Sequence, residues 1–487
     1  MHTITSGPGG SSTAIIELPT TSHIRMDAEK ATITTANPNA PSSSSPPTDS
    51  KPQLQKWNSP RINIWRCAGT FWSFVILGAN DAAYGALIPY LEDWYNVNYT
   101  VISLVFLSPM VGYTLSALLN NHIHMVYGQR GVACIMSTSH LLGFVAVCLH
   151  PPYPVLVVIY ILLGFGNGLG DSGWNAWIGD MTDANEVLGF LHGFYGLGAA
   201  LSPLIATSVV TKAGWKWYEF YYIMVGGAAI EVIFLVGTFW KADAHAFRAQ
   251  RSAAVGEAQP TAHTEPVPQS TQEERSTLKK LSPFGKREKG KSRTLEAVKN
   301  KATILASVFL LAYVGAEVSI GGWIVSFMLR VRKGSPFASG MTSTGFWLGI
   351  TVGRFVLGFV TGRLFKNERW AVTTYVSCSV VLQLLFWLVP NFYVSAVMIG
   401  FIGFFLGPMF PAAVVVLTKL LPKRLHVAGV GFACAFGASG GTVLPFAIGA
   451  IANAAGVKVL QPIILAALVL CLVVWLLIPR LPKQRLA

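Results

Sequence analysis

An all-α membrane protein with twelve transmembrane helices, built as two six-helix parallel pseudo-repeats, is the fold class this sequence predicts. Three observations predict it. The 487 residues are 52% hydrophobic and only 12% charged, with mean hydropathy +0.50, whereas soluble domains carry about 25% charged residues. Of 58 charged residues, 9 fall in positions 1–61 and 20 in 241–301, so 29 are left for the other 365 positions. Glycine-bearing strings of the first half also return in the second half in the same order.

In chain order, residues 1–61 read as a disordered cytoplasmic tail, because runs such as Pro41-Ser42-Ser43-Ser44-Ser45-Pro46-Pro47 cannot bury a core. Twelve apolar segments follow, at 63–91, 100–125, 131–149, 155–178, 187–210, 218–240, 302–328, 341–363, 371–389, 393–418, 427–452 and 459–479. Each is close to the ~20 residues that cross ~30 Å of hydrocarbon. The first six make an N-terminal bundle, 62–240, and the last six a C-terminal bundle, 302–480. Between them, 241–301 carries 13 Lys/Arg and 7 Asp/Glu and reads as a flexible basic cytoplasmic linker with a short surface helix near Thr294–Lys301. Residues 481–487 form a short cytoplasmic tail.

The basic residues set the orientation. With both termini and the linker inside, only Lys212, Lys216, Arg330, Arg332, Lys333 and Lys458 of the 36 Lys/Arg lie outside, as the positive-inside rule requires. The formal charge of +14 therefore reports topology rather than a nucleic-acid surface, and no nucleic-acid partner is expected. The six cysteines lie singly in apolar runs without paired spacing, which excludes a disulfide framework or a zinc site. A polar N-terminus rules out a cleavable signal peptide. Gly166-Asn167-Gly168-Leu169-Gly170 has no following lysine, so it is a helix-packing string and not a phosphate loop. Neither a cofactor nor a metal is expected, and composition excludes a soluble enzyme.

The internal repeat is legible at offsets of 237 to 242. Gly78-Ala79-Asn80 matches Gly315-Ala316-Glu317, and Gly85 matches Gly322; Val111-Gly112 matches Val352-Gly353. Gly166, Leu169 and Gly170 match Gly403, Leu406 and Gly407, and Phe194, Gly198, Ala199 and Pro203 match Phe436, Gly440, Gly441 and Pro445. Four matches in one order make the halves parallel repeats.

Over residues 62–480 this organisation resembles the major facilitator superfamily. Asn80-Asp81 and the glycine-rich stretch from Gly164 to Asn175 are similar to the fucose-permease-like branch of sugar/proton symporters. The strings GANDAAYGALIPYLEDWY, LHGFYGLGAALSPLIAT and YVGAEVSIGGWIVSFML resemble fungal members of that branch most closely. The resemblance implies alternating access between two rocking halves, with an aspartate at position 81 that couples proton movement to sugar binding. Two departures stand out. The superfamily's acidic position in the loop between spans 2 and 3 holds Met125, and its first glycine is Asn121, while Gly128 and Arg130 remain. Asp171 directly follows Gly168-Leu169-Gly170 where the branch pattern has a three-residue interval, and one residue turns a helix by ~100°, which leaves its facing open.

An ionisable group inside the bilayer costs at least ~2.5–3.5 kcal/mol on the insertion scale, so each one requires a reason. Asp81, Glu317 and Asp171 are the candidates for proton coupling. Asn80, Asn175, Trp323 and Gln383 are the candidates for substrate binding, either as hydrogen-bonders or as a stacking face. Arg354 and His192 are candidates for gating or pairing, Arg354 with Glu317 in particular. Glu231 reads as a structural or lipid-boundary acid, and Asn98 heads a glycosylation sequon at the membrane edge.

The resulting expectation is a secondary transporter of a small organic molecule in the cell membrane, or alternatively the vacuolar membrane, driven by protons and monomeric. Two directions stand. Asn80, Asn175 and Gln383 suit a sugar importer; Trp174, Phe194, Trp323 and Phe436 suit an exporter of a fungal metabolite, which the resemblance favours slightly. A non-transporting nutrient sensor is the third reading.

Overall fold

The structure, a computed structural model, describes residues 55–248, 293–365, 368–422 and 425–479. The N-terminal half contains α1 (Ile62–Tyr95), α2 (Tyr99–Ile102), α3 (Leu104–Cys148), α4 (Tyr153–Gly179), α5 (Ala184–Thr211) and α6 (Phe220–Phe239). After α7 (Arg293–Val298), the C-terminal half contains α8 (Lys301–Arg330), α9 (Pro336–Leu364), α10 (Glu368–Leu388), α11 (Phe392–Leu406), α12 (Met409–Leu420), α13 (His426–Ala455) and α14 (Leu460–Leu477). No strand forms among the described residues.

Eleven stretches among the described residues are long and apolar enough to cross a membrane. One of them, Tyr99–Cys148, is 50 residues long and contains two crossings, because α3 breaks at Gly128 with φ 70° and ψ −163°. Span 10 also arrives in two pieces, α11 and α12, parted at Gly407-Pro408 because Pro408 removes a backbone donor. Twelve spans result, as expected. The short helix expected near 294–301 is α7. The segments 1–54, 249–292 and 480–487, which hold most of the expected tails and linker, lie outside the described residues. Residues 55–61, expected to belong to the disordered tail, instead form a docked turn. Lys56 and Ser59 exchange backbone hydrogen bonds, and Thr182 donates its N–H to Gln55 O at 3.0 Å.

The repeat is visible as packing. Lipid gives apolar helices no incentive to separate from it, so association depends on close backbone approach at small residues. A Cβ on Gly198 of α5 would stand 2.0 Å from Val75 O on α1, and one on Gly440 of α13 would stand 2.0 Å from Leu311 O on α8. Between spans 2 and 4, and again between spans 8 and 10, Gly112 and Gly353 allow the same approach, 2.1 Å from Ile161 O and 2.0 Å from Phe404 O. The glycines matched by the sequence repeat therefore hold equivalent helix pairs together.

The break at Gly128 is fastened by the start of the segment after α6. Arg130 donates its N–H to Ala242 O at 2.9 Å, its guanidinium lies over Trp240, and His124 packs on Phe247. Asp243 caps the helical turn 244–248, where hydrogen bonds from Ala246 N–H and His245 hold its carboxyl below the usual carboxylate range. A Cβ at position 128 would lie 2.3 Å from Asp243 C, and its left-handed φ disfavours any L side chain. Gly128→Ala is expected to cost about 1–3 kcal/mol, read as a lowered melting temperature of the purified protein in detergent.

Candidate functional site

The ends of the spans that bear residue 62 and the segment after α6 are called the terminal side here, and the opposite end the far side. Asp81 sits near the middle of α1, and Glu317 near the middle of α8. Helix periodicity turns Asp81 toward α4 and α5. Its Oδ2 accepts from Tyr195 Oη at 3.0 Å, and its Oδ1 accepts from Asn167 Nδ2 at 2.9 Å and from Asn80 Nδ2 at 3.4 Å. Asp81 is half-buried. Asn80 is buried beside it, donating to Tyr84 Oη at 3.1 Å and leaving its own Oδ1 without a partner.

In the other half, Arg354 on α9 donates from Nη2 to Glu317 Oε1 at 3.2 Å and from Nε to Gly407 O at 3.4 Å. The Gly407 carbonyl is available because the helical donor position four residues on is Pro411, which has no N–H. Tyr313 is buried within electrostatic reach of both members of the pair. Tyr195 lies within electrostatic reach of Glu317, Arg354 and Asp81 together, so its phenol marks the point where the acid of one half meets the ion pair of the other. The pairing of Arg354 with Glu317 matches the sequence expectation. Removing one partner of this half-buried pair leaves an uncompensated charge within the spanning helices, costing about 2.5–3.5 kcal/mol. Arg354→Gln should therefore lower thermal stability sharply, while Arg354→Gln combined with Glu317→Gln should recover most of the loss.

Toward the terminal side, Asn175 donates from Nδ2 to Asp171 Oδ1 at 2.9 Å, and its Oδ1 faces His192 Nε2 at 3.1 Å. This row joins α4 to α5. Asp171 and His192 are both solvent-accessible within the spanning length of their helices. Cys434 on α13 lies within electrostatic reach of Asp171, and Arg354 within reach of His192. Asp171 therefore faces the space between the halves, which its sequence register had left open.

The far side is sealed. Glu92 and Arg330 form an ion pair of 2.5 Å between α1 and α8, and Arg330 also donates to Tyr99 Oη. Below that pair α1 and α8 touch backbone to backbone: a Cβ on Gly85 would stand 1.9 Å from Gly321 O. Trp323 belongs to this seal. It is fully buried, donates Nε1–H to Pro445 O at 2.9 Å, and packs on Phe106 and Tyr99 of the opposite half.

Trp323 and Gln383 are accordingly not brought to the polar space. Gln383 is 1% exposed and donates to Gln461 Oε1 at 2.6 Å, joining α10 to α14 as an interhelical hydrogen bond. Asn98 is exposed and uses its side chain to cap α2, accepting from Val101 N–H. Glu231 is not at a lipid boundary: it is fully buried and 2.9 Å from His140. The sequence reading missed Tyr195, Asn167 and His140. The last two are polar side chains in apolar runs, a signal that was present; Tyr195 carries no such signal because tyrosine is common in membrane helices. No group of three or more His, Cys, Asp or Glu that could hold a metal occurs among the described residues.

Comparisons with known proteins agree with this architecture. The family model of the Major Facilitator Superfamily matches residues 70–378. Bypass of stop codon protein 6 of Saccharomyces cerevisiae is 30% identical over 421 residues, covering 84% of this chain and 81% of that protein. The glucose/mannose transporter GlcP of Bacillus subtilis is 22% identical over 383 residues, covering 77% and 85%. Among solved structures, a D-xylose-proton symporter superposes with TM-score 0.65 at 11% identity, covering 87% of this chain and 98% of that one. A peptide transporter in complex with sulfate gives TM-score 0.62 at 14% identity, covering 85% and 94%. With its family model matched, its relatives aligned over most of their length and its twelve helices in two packed halves, this chain belongs to the major facilitator superfamily.

Proposed function

We propose that the protein is a proton-coupled symporter of a small polar organic molecule of the hexose class, working by alternating access. The observation that carries this reading is the half-buried carboxylate of Asp81, bonded to Tyr195 and facing the Glu317–Arg354 pair across the halves. Proton binding at Asp81 would change the hydrogen bond that Tyr195 offers to a hydroxylated ligand, and such a ligand could break the ion pair opposite. Asn175, Asp171 and His192 supply further hydrogen-bonding groups on the terminal side. The similarity to a glucose/mannose transporter supports the same substrate class.

The basic-residue pattern puts the terminal side in the cytoplasm, so the sealed far side is external and the protein faces inward. The membrane is the cell membrane, and the protein acts as a monomer. Export of an apolar metabolite is the second reading. Its aromatic wall is reduced to Phe194, stacked on Phe71, and Phe436, stacked on Phe432, because Trp174 is fully buried against Phe239 and Trp323 is in the seal. The test is transport by the purified protein in liposomes with an imposed proton gradient. Accumulation of a labelled hexose along the proton flow supports the symporter; inert hexoses with apolar metabolites moving against the proton flow would replace it by the exporter.

A further inference from the structure

Behind Asp81, away from the space between the halves, lie three polar side chains that transport as described above does not use. His140 on α3 places Nε2 2.9 Å from Asn167 Oδ1 and Nδ1 2.9 Å from Glu231 Oε2. Asn167 in turn gives Nδ2–H to Asp81 Oδ1. His140, Asn167 and Glu231 are each 0% exposed, and the row runs from α1 through α4 and α3 to α6. Holding four helices together does not require this chemistry, since well-packed apolar residues commonly replace a buried ion pair without loss of stability. An intramembrane pair of ionisable groups calls for a functional reason.

Counting hydrogens along the row supplies one. An ionised carboxylate only accepts, so while Asp81 is ionised Asn167 must turn its amino group toward it. The Asn167 carbonyl then faces His140, and Nε2 must carry a hydrogen. The Nδ1–Oε2 contact needs another proton, shared between ring and carboxyl as a coupled pair. The His140–Glu231 pair thus holds two protons whenever Asp81 holds none, with the ring end of its dipole toward Asp81. A proton arriving on Asp81 Oδ1 would meet the Asn167 amino group head-on. Protonation of Oδ1 is therefore opposed by the Asn167 amino group for as long as His140 Nε2 keeps its hydrogen and holds the amide in this orientation.

We propose that His140, Glu231 and Asn167 are a positioning set that governs when Asp81 takes up its proton, an inference that rests on Asp81 being the proton site. Asp81 is faced by Tyr84 on its own helix, Tyr113 on α3, Asp171 on α4 and Tyr195 on α5, with His140 behind Asn167. His140 is faced by Glu231 and Asp81. Of these groups only His140 can be cationic, and Arg354 lies across the gap beyond Tyr195. Losing the ring, or the carboxylate that keeps it protonated, removes the positive end that favours ionised Asp81.

The test is an infrared titration of the full-length protein in lipid vesicles, following the carbonyl band of a protonated carboxyl group that Asp81→Asn erases. The titrant is the proton, so no substrate is needed. In His140→Gln and in Glu231→Gln the half-point of that band should move to higher pH by roughly one unit, a tenfold change in proton concentration. The double variant should move no further than either single one, because the two residues act as a pair. Half-points unmoved in both singles would overturn the proposal while leaving Asp81 as the proton site. A band that persists in Asp81→Asn would instead overturn the reading of Asp81. Should His140→Gln not fold, Glu231→Gln decides alone, since glutamine keeps the shape and an Oε1 acceptor for Nδ1–H.

Discussion

Asp81→Asn should abolish gradient-driven accumulation while leaving exchange intact. For one proton per substrate, a gradient of two pH units can sustain an accumulation ratio of about 100, since each unit is worth ~1.36 kcal/mol. Asparagine keeps the shape of the side chain: its carbonyl in the Oδ1 place still accepts from Asn167, and its amino group in the Oδ2 place can donate to a Tyr195 hydroxyl that rotates to accept, so the helix contacts through those residues persist. It cannot take up a proton, so nothing links the halves' motion to the gradient. The ratio should fall to about 1, while unlabelled substrate inside the vesicles still drives entry of labelled substrate by counterflow. Accumulation that survives in Asp81→Asn would remove this residue from the mechanism, and loss of counterflow as well would make Asp81 a substrate contact rather than a coupling group.

The fold was legible because the bilayer imposes one rule everywhere: each crossing must be a helix of fixed length, and each helix writes that length as an apolar run. The repeat was legible because close helix approach has few solutions, so Gly198 and Gly440 recur where α1 with α5, and α8 with α13, touch backbone to backbone. Asp81, Glu317 and Arg354 stood out by their charge, and Arg354 with Glu317 are indeed joined. What one-dimensional reading could not resolve was facing. Trp323 and Asn80 lie on cavity-forming helices, yet a rotation of one or two residues places Trp323 in the far-side seal and buries Asn80 against Tyr84. Gln383 and Glu231 were recognisable as polar intrusions, but their partners, Gln461 and His140, lie 78 and 91 positions away. Glu92 escaped notice because it fell just past the end of an apolar run, whereas its importance comes from Arg330 on the other half.

The largest conformational effect is expected at Gly85. Two halves that alternate must separate at the far side in one state and touch in the other, and Gly85 is where α1 meets Gly321 of α8 most closely. An added Cβ would stand 1.9 Å from a carbonyl oxygen and 2.9 Å from its carbon. Neither atom belongs to a side chain that could rotate away, and the Glu92–Arg330 pair beyond draws the same two helices together. The closed state alone bears the clash, because the helices part when the far side opens. A penalty of about 3 kcal/mol, the upper part of the usual overpacking range, would shift the ratio of the two states by about 100-fold toward opening. Gly85→Ala should therefore nearly abolish transport while the protein remains folded. A cysteine placed at Ser103, fully buried at the seal, should gain reactivity toward a membrane-impermeant maleimide added from the far side. The ion pair would then resist opening less than the glycine contact permits closure, so Arg330→Gln should raise labelling only modestly. Full transport by Gly85→Ala, with Ser103→Cys still protected, would show that the far side does not close by this contact.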